Sequence, residues 1–192
     1  MPDRPTERIR RKRVGRTAGR RVRPRNSVVP PRPPRQGPDM TTTAAVEQLL
    51  PGGLRLRSCR PGDLEQVGAL LADRGEPADA LDQRLVVEDP DTGWDATAVV
   101  VDGDRVVSTA TLLADSVRLE DVVLPAGQVE LVATAPAYEG RGLVRALMAW
   151  AHDRSAARGD LLQVMIGIPY FYRLFGYEYA IDVPPARPVP PE

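Results

Sequence analysis

The 192 residues include 42% hydrophobic side chains, 5% aromatics, 16 glycines and 20 prolines, a composition and length that suit one folded domain with tails. No uncharged apolar run reaches the roughly 18 residues that a spanning helix needs, so a membrane-crossing segment is excluded, and the basic start lacks the apolar stretch of a secretory signal. Cys59 and His152 are the only cysteine and histidine, which excludes an internal disulfide, a zinc cluster and a multi-histidine metal site; no metal is expected, and the cytoplasm is the expected compartment.

The formal net charge of zero conceals opposite halves. Residues 1–39 carry 13 of the 26 basic side chains and 3 of the 26 acidic ones. They also hold 8 of the 20 prolines and almost no large apolar residues. Such a segment cannot bury enough surface to offset the entropy of ordering. Residues 1–49 therefore read as a disordered Arg/Pro-rich extension, with Met40 as an alternative start of translation. An Arg-rich arm could bind nucleic acid, but the segment has no nucleic-acid motif and no interleaved aromatics. Residues 183–192 hold five prolines and read as an extended tail.

The body, 50–182, alternates strand and helix signals. Leu54–Ser58 alternates apolar and polar side chains, as a short strand does. Asp63 opens a helix with Gln66 as its capping-box partner, and Leu64, Val67 and Leu71 share one face. A second helix spans Ala78–Val87. Ala96–Val101 and Arg105–Leu113 are strands joined through Asp102-Gly103-Asp104, a hairpin signal. Val117–Leu124 is a further extended piece, and Gln128–Thr134 a strand ended by Pro136. Leu143–Arg158 is a helix with Leu143, Leu147, Trp150 and Ala151 on one stripe and Gly159 as its stop. Leu161–Ile168 is nearly continuous in apolar residues, as a strand buried on both faces would be. A short helix over Phe171–Phe175 is closed by Gly176, and Tyr177–Asp182 is a last strand. The order predicts an α/β fold with a mixed sheet and helices on both faces.

The chemistry concentrates between the 128–134 strand and the 143–158 helix. Gly140 and Gly142 permit positive φ and close approach of a ligand to the backbone. The first amides of the helix have no intrahelical acceptor, and together with the helix dipole they make an anion site that suits a phosphate. Arg141 and Arg145 add positive charge there. A P-loop is ruled out because the only lysine is Lys12. The dinucleotide fingerprint fails because Arg145 stands where its third glycine belongs.

Val132-Ala-Thr-Ala-Pro-Ala-Tyr-Glu-Gly-Arg-Gly-Leu-Val-Arg-Ala-Leu-Met148 resembles the acetyl-CoA motif of the GCN5-related N-acetyltransferases (GNATs). Ile168-Pro-Tyr-Phe-Tyr-Arg-Leu-Phe-Gly-Tyr-Glu178 resembles their final helix–turn–strand. The two motifs stand in the family's order and spacing, and the resemblance covers about residues 54–182. The wording of both is most similar to the enhanced-intracellular-survival type, whose members continue into further domains. The resemblance implies a GNAT-like, mostly antiparallel sheet with a splayed central strand pair. It implies a single-domain, acetyl-CoA-dependent N-acetyltransferase acting on a small-molecule or peptide amine.

It also implies residue roles. Val132, Ala133 and Thr134 would offer backbone groups to the pantetheine arm, and one of their amides would steady the oxyanion of the reaction. Gly140, Arg141, Gly142, Leu143, Val144 and Arg145 would wrap the pyrophosphate. Tyr172 would protonate the departing thiolate, and Glu130 is a candidate general base. The family motif usually has Gln or Arg at the position of Glu139 and Gly or Ala at that of Val144; a carboxylate at 139 opposes a pyrophosphate unless it points away. Between residues 61 and 104 stand 12 acidic side chains and only Arg74 and Arg84 as bases. In the family this region walls the acceptor site, and a negative wall favours a cationic amine. The alternatives are an inactive or truncated CoA-binding module and a nucleic-acid-binding protein led by residues 1–39; assembly as a homo-oligomer is compatible with each reading, the transferase included.

Overall fold

The computed structural model describes residues 47–180. Most of the basic extension, the Pro-rich tail and the end of the expected last strand lie outside the described residues. Six strands form one sheet in chain order: β1 (Gln48–Leu49), β2 (Arg55–Ser58), β3 (Thr97–Asp102), β4 (Arg105–Leu119), β5 (Val122–Thr134) and β6 (Leu162–Val164). All neighbours run antiparallel except β5 and β6, which are parallel. Three helices accompany them: α1 (Leu64–Arg74), α2 (Asp79–Glu88) and α3 (Leu143–Arg158). β1 is a correction, because residues 48 and 49 were expected in the disordered extension and instead pair with Leu56 and Arg55.

β3 explains the layering. Thr97–Val101 is buried throughout, and successive side chains of a strand point to opposite faces. Ala98 and Val100 join a core with Leu143, Leu147, Met148 and Ala151 of α3. Val99 and Val101 join a second core with Val67, Leu70 and Leu71 of α1. Helices therefore cover both faces of the sheet.

Polar contacts fix these layers. Gln83 of α2, Thr97 of β3 and Thr111 of β4 close a buried ring of hydrogen bonds at 3.0, 2.9 and 3.1 Å, so all three of these buried side chains find partners. Arg57 donates twice to Asp63, at 2.6 and 2.9 Å, in a pair that is nearly fully buried. The Asp63 carboxylate also accepts from the Arg60 amide at 2.8 Å. Gln66 is not its capping partner. Its side chain reaches instead across to the β3–β4 hairpin, donating to the Asp104 carbonyl and accepting from the Val106 amide.

The C-terminal part departs from expectation. Val117–Leu124 is no separate strand: it forms the paired tips of β4 and β5, turning at Glu120 and Asp121. The expected strand Leu161–Ile168 is laddered only over Leu162–Val164. Among the described residues β6 is the last strand of the sheet, paired on one side, and Ile166 and Ile168 stand 72% and 65% exposed rather than buried. The segment Phe171–Phe175 contains a single 3-10 turn, Tyr172–Phe175, closed by Gly176 at positive φ. Tyr177–Ala180 forms no ladder, and Tyr177 is tied to Gln163 through its hydroxyl.

Candidate functional site

The site begins with a break in β5. Thr109 pairs with Ala133 and Thr111 with Glu130, so one residue of β4 faces two of β5, Leu131 and Val132. This is a β-bulge, which bends its strand. Leu131 takes φ 53° to make it, a left-handed conformation that costs a non-glycine residue about 1 kcal/mol. Beyond the bulge β5 has no partner on its far edge among the described residues, because its ladder with β6 ends at the pair Gln128–Val164. The two strands part beyond it, but at the edge of the described sheet rather than in a central pair as expected.

A cleft of about 620 Å³ opens where they part. Residues 129–133 of β5 form one wall and residues 165–168 beyond β6 the other, with Tyr172 between them; Leu71 of α1 and Gly75, Glu76 and Asp79 of the α1–α2 region also line it. Glu130, Val132, Ala133 and Tyr172 thus meet in one cleft. Thr134 lies at its border, where its hydroxyl is hydrogen-bonded to Ser108 at 2.7 Å. The Ser108 hydroxyl also donates to the Ala133 carbonyl at 3.0 Å.

Tyr172 is half-buried, against Phe171, Phe175 and Tyr177. Its hydroxyl makes no hydrogen bond among the described residues. Burial, and then the charge of Glu130, push its pKa above the ordinary tyrosine value. The Glu130 carboxylate accepts from the Gln128 side-chain amide. Tyr177 is pushed up to about 12, chiefly by burial.

The loop from β5 to α3 leaves backbone amides free at the start of a helix. Gly140 and Gly142 have φ of 72° and 77°, and a Cβ on either would meet nothing within 4 Å. Conformation, rather than crowding, demands glycine at both. Gly142 is the N-cap of α3, and the first helical amide bond runs from Ala146 to the Gly142 carbonyl at 3.1 Å. The amides of Leu143, Val144 and Arg145 precede it and lack helical acceptors. No acidic side chain occupies that first turn.

The arginines divide the work. Arg141 is turned onto its own loop, donating to the Ala137 carbonyl at 2.9 Å and stacking 4.7 Å from the Tyr138 ring centroid. Arg145 pairs with no carboxylate among the described residues and lies 5.4 Å from the Phe175 ring centroid. It therefore joins the loop to the turn that carries Tyr172. Glu139 turns away, accepting from Arg74 of α1 at 2.6 Å. The bend of β5 and the Arg74–Glu139 pair escaped sequence reading, since no local signal marks a bulge at Leu131 or a contact between residues 65 positions apart.

These features fit a diphosphate with an extended arm: an amide-rich loop with its nearby carboxylate neutralised, followed by an unpaired strand edge. Cys59 takes no part in them. It is buried, and burial pushes its thiol up to about 12. Among the described residues no group of three or more metal-ligating side chains occurs, and no helix is long and apolar enough to cross a membrane.

An acetyltransferase (GNAT) domain profile matches residues 56–180. No curated protein matches the chain. Among solved structures, an acetyltransferase from Trypanosoma brucei is similar at 22% identity and TM-score 0.56, over 70% of this chain and 99% of that one. A GCN5-related N-acetyltransferase from Kribbella flavida is 27% identical with TM-score 0.57, over 65% of this chain and 33% of that one. The structure of AAC(6')-Iy in complex with the bisubstrate analogue CoA-S-monomethyl-acetylneamine is similar at 17% identity and TM-score 0.56, over 71% of this chain and 98% of that one.

Proposed function

Since the chain belongs to the GNAT acetyltransferase domain family, we propose that it is an acetyl-CoA-dependent N-acetyltransferase that passes an acetyl group directly to a primary amine, cationic in solution. The observation that carries this reading is the open edge of β5. Its ladder to β6 stops at Gln128, and the residues just beyond share a cleft with Tyr172. Acetyl-CoA supplies, when bound, an electrophilic thioester carbon and a thiolate leaving group of pKa about 8.5.

Each residue then has a part. Val132, Ala133 and Thr134 receive the pantetheine arm as a strand edge receives another strand, and a main-chain amide of this run steadies the charge on the carbonyl oxygen. Gly140, Arg141, Gly142, Leu143, Val144 and Arg145 hold the pyrophosphate, through backbone amides and the Arg145 guanidinium. Glu130, directly or through water, takes a proton from the ammonium. The freed nitrogen then forms the C–N bond as the C–S bond breaks. Tyr172 gives its proton to the sulfur, and the second proton shed by nitrogen restores the balance. The products are an amide and a free thiol.

The raised pKa of Tyr172 suits a group that must stay protonated at neutral pH. A proton passing from an ordinary tyrosine, pKa about 10, to a thiolate climbs about 1.5 pK units, roughly 2 kcal/mol. Its contribution therefore belongs at the lower end of acid–base catalysis, about 10²-fold.

We further assign residues 50–182 as the acetyltransferase unit, with β1 (Gln48–Leu49) added at the edge of its sheet, the rest of 1–49 and 183–192 as extensions, and the enhanced-intracellular-survival type as its branch, on the wording of Gly140–Met148 and Ile168–Tyr172. The test is thiol release from acetyl-CoA by the full chain against a panel of amines. Amine-dependent release is expected. Tight acetyl-CoA binding with no release to any amine would establish a module without activity. Salt-sensitive DNA binding without acetyl-CoA binding would favour the basic arm.

A further inference from the structure

We infer that Gly167 is a positioning residue for the reaction: its bare backbone is the seat of the Tyr172 ring, and only glycine there leaves the phenol in its place in the cleft. The inference rests on the acetyltransferase reading and deepens it. Gly167 is not among the glycines with positive φ, so its backbone conformation does not demand glycine. Crowding does. A Cβ built on Gly167 would fall on Cδ2 and Cε2 of Tyr172, far inside contact distance, and 3.5 Å from Cζ. At Gly140, Gly142 and Gly176, by contrast, a Cβ would meet nothing within 4 Å.

Aromatic neighbours hold the rest of the ring. Phe171 meets it edge-on with centroids 5.1 Å apart, Tyr177 at 6.3 Å and Phe175 at 6.4 Å. Tyr177 is itself anchored, by its hydroxyl to Gln163 beside the cleft and by its ring, 5.7 Å from that of His152 on α3. Gly167 and Tyr172 both line the cleft that Glu130 and Val132 line. They also both line a second cavity of about 380 Å³, with Tyr170, Tyr177 and Tyr179. A side chain at 167 would push the ring off its seat, and the second cavity gives it room to shift while the turn stays folded. A proton donor works over heavy-atom distances of about 2.6–3.2 Å, and a misplacement of about 1 Å can cost on the order of 10²-fold. The loss is capped by what Tyr172 contributes, because Gly167 acts through that ring.

The test is a double-mutant cycle in the full chain, read as kcat and KM for thiol release from acetyl-CoA, with calorimetric binding of acetyl-CoA beside it. Gly167→Ala is expected to lower kcat about 10- to 100-fold, no further than Tyr172→Phe does, and to leave the Kd of acetyl-CoA unchanged. In the Tyr172→Phe background the ring remains but has no proton to give, so Gly167→Ala is expected to cost nothing more in kcat. A residue that merely held the fold would lower kcat by the same factor in both backgrounds. That result, or a wild-type kcat in Gly167→Ala, overturns the positioning role and leaves the transferase standing. A nuclear Overhauser contact between the Gly167 α-protons and the Tyr172 ring, measured on the unmodified chain, checks the seat without a variant. Its presence is expected, and its absence overturns the inference. A wild-type chain that releases no thiol to any amine overturns both.

Discussion

Arg74, the last residue of α1, donates to Glu139 at 2.6 Å, one position before the glycine-rich turn that leads into α3. The contact draws the one acidic side chain of that loop away from the helix amides. Both partners are substantially exposed, so the pair adds little to stability. Its consequence lies in charge near the free amides of α3, the proposed pyrophosphate site.

Arg74→Gln is therefore expected to weaken acetyl-CoA binding about three- to tenfold, the order of one uncompensated charge near a pyrophosphate at a wet surface. Glu139→Gln should bind at least as well as wild type, and the double variant should recover. Calorimetry at low and high salt checks this, since the Arg74→Gln loss should shrink as salt rises. Equal losses in both single variants would contradict it.

Tyr172→Phe should lower kcat by about 10²-fold and leave the KM for acetyl-CoA nearly unchanged. In the proposed mechanism the acid form of Tyr172 is the working form, and burial with the Glu130 charge raises its pKa. The wild-type rate should hold through neutral pH and fall only above about pH 10. That alkaline limb should be missing from the Phe variant, which a pH–rate profile reads directly.

Gly142→Ala should cost about 1–2 kcal/mol of stability, because an alanine at φ 77° strains the N-cap of α3. The same strain tilts the first amides, so acetyl-CoA affinity should fall with it. Denaturant melts and binding isotherms measure the two losses on one sample.

Asp63→Asn leaves Arg57 buried without its counter-charge and should cost about 3–5 kcal/mol. In the native protein burial alone would raise the Asp63 pKa, but the Arg57 and Arg60 hydrogen bonds outweigh it and hold the group below its ordinary value. A depressed folded pKa means the stability is complete above the unfolded value of about 3.9. It is lost as pH falls through the lower, folded one. Urea melts from pH 6 down to pH 2 should show that acid loss in wild type and a flatter profile in the variant.

Much of this protein is written locally. Leu143–Arg158 appears with the bounds its periodicity and terminal glycine imply, because a helix is satisfied by its own backbone and a 3.6-residue stripe. The hairpin at Asp102–Asp104 and the glycine turn at Gly140–Gly142 that opens α3 are legible for the same reason: positive φ and free helix amides are properties of a few consecutive residues. What only the tertiary structure decided are relations between distant segments. Leu161–Ile168 has the composition of a central strand, yet its neighbours make it an edge, and burial is a property of neighbours. The bulge at Leu131 depends on how β4 aligns with β5, and alignment across a sheet is not encoded in either strand alone. The turn of Glu139 toward Arg74, and the gathering of Glu130 and Tyr172 around one cleft, likewise need the chain to fold back on itself before groups so far apart in sequence can act together.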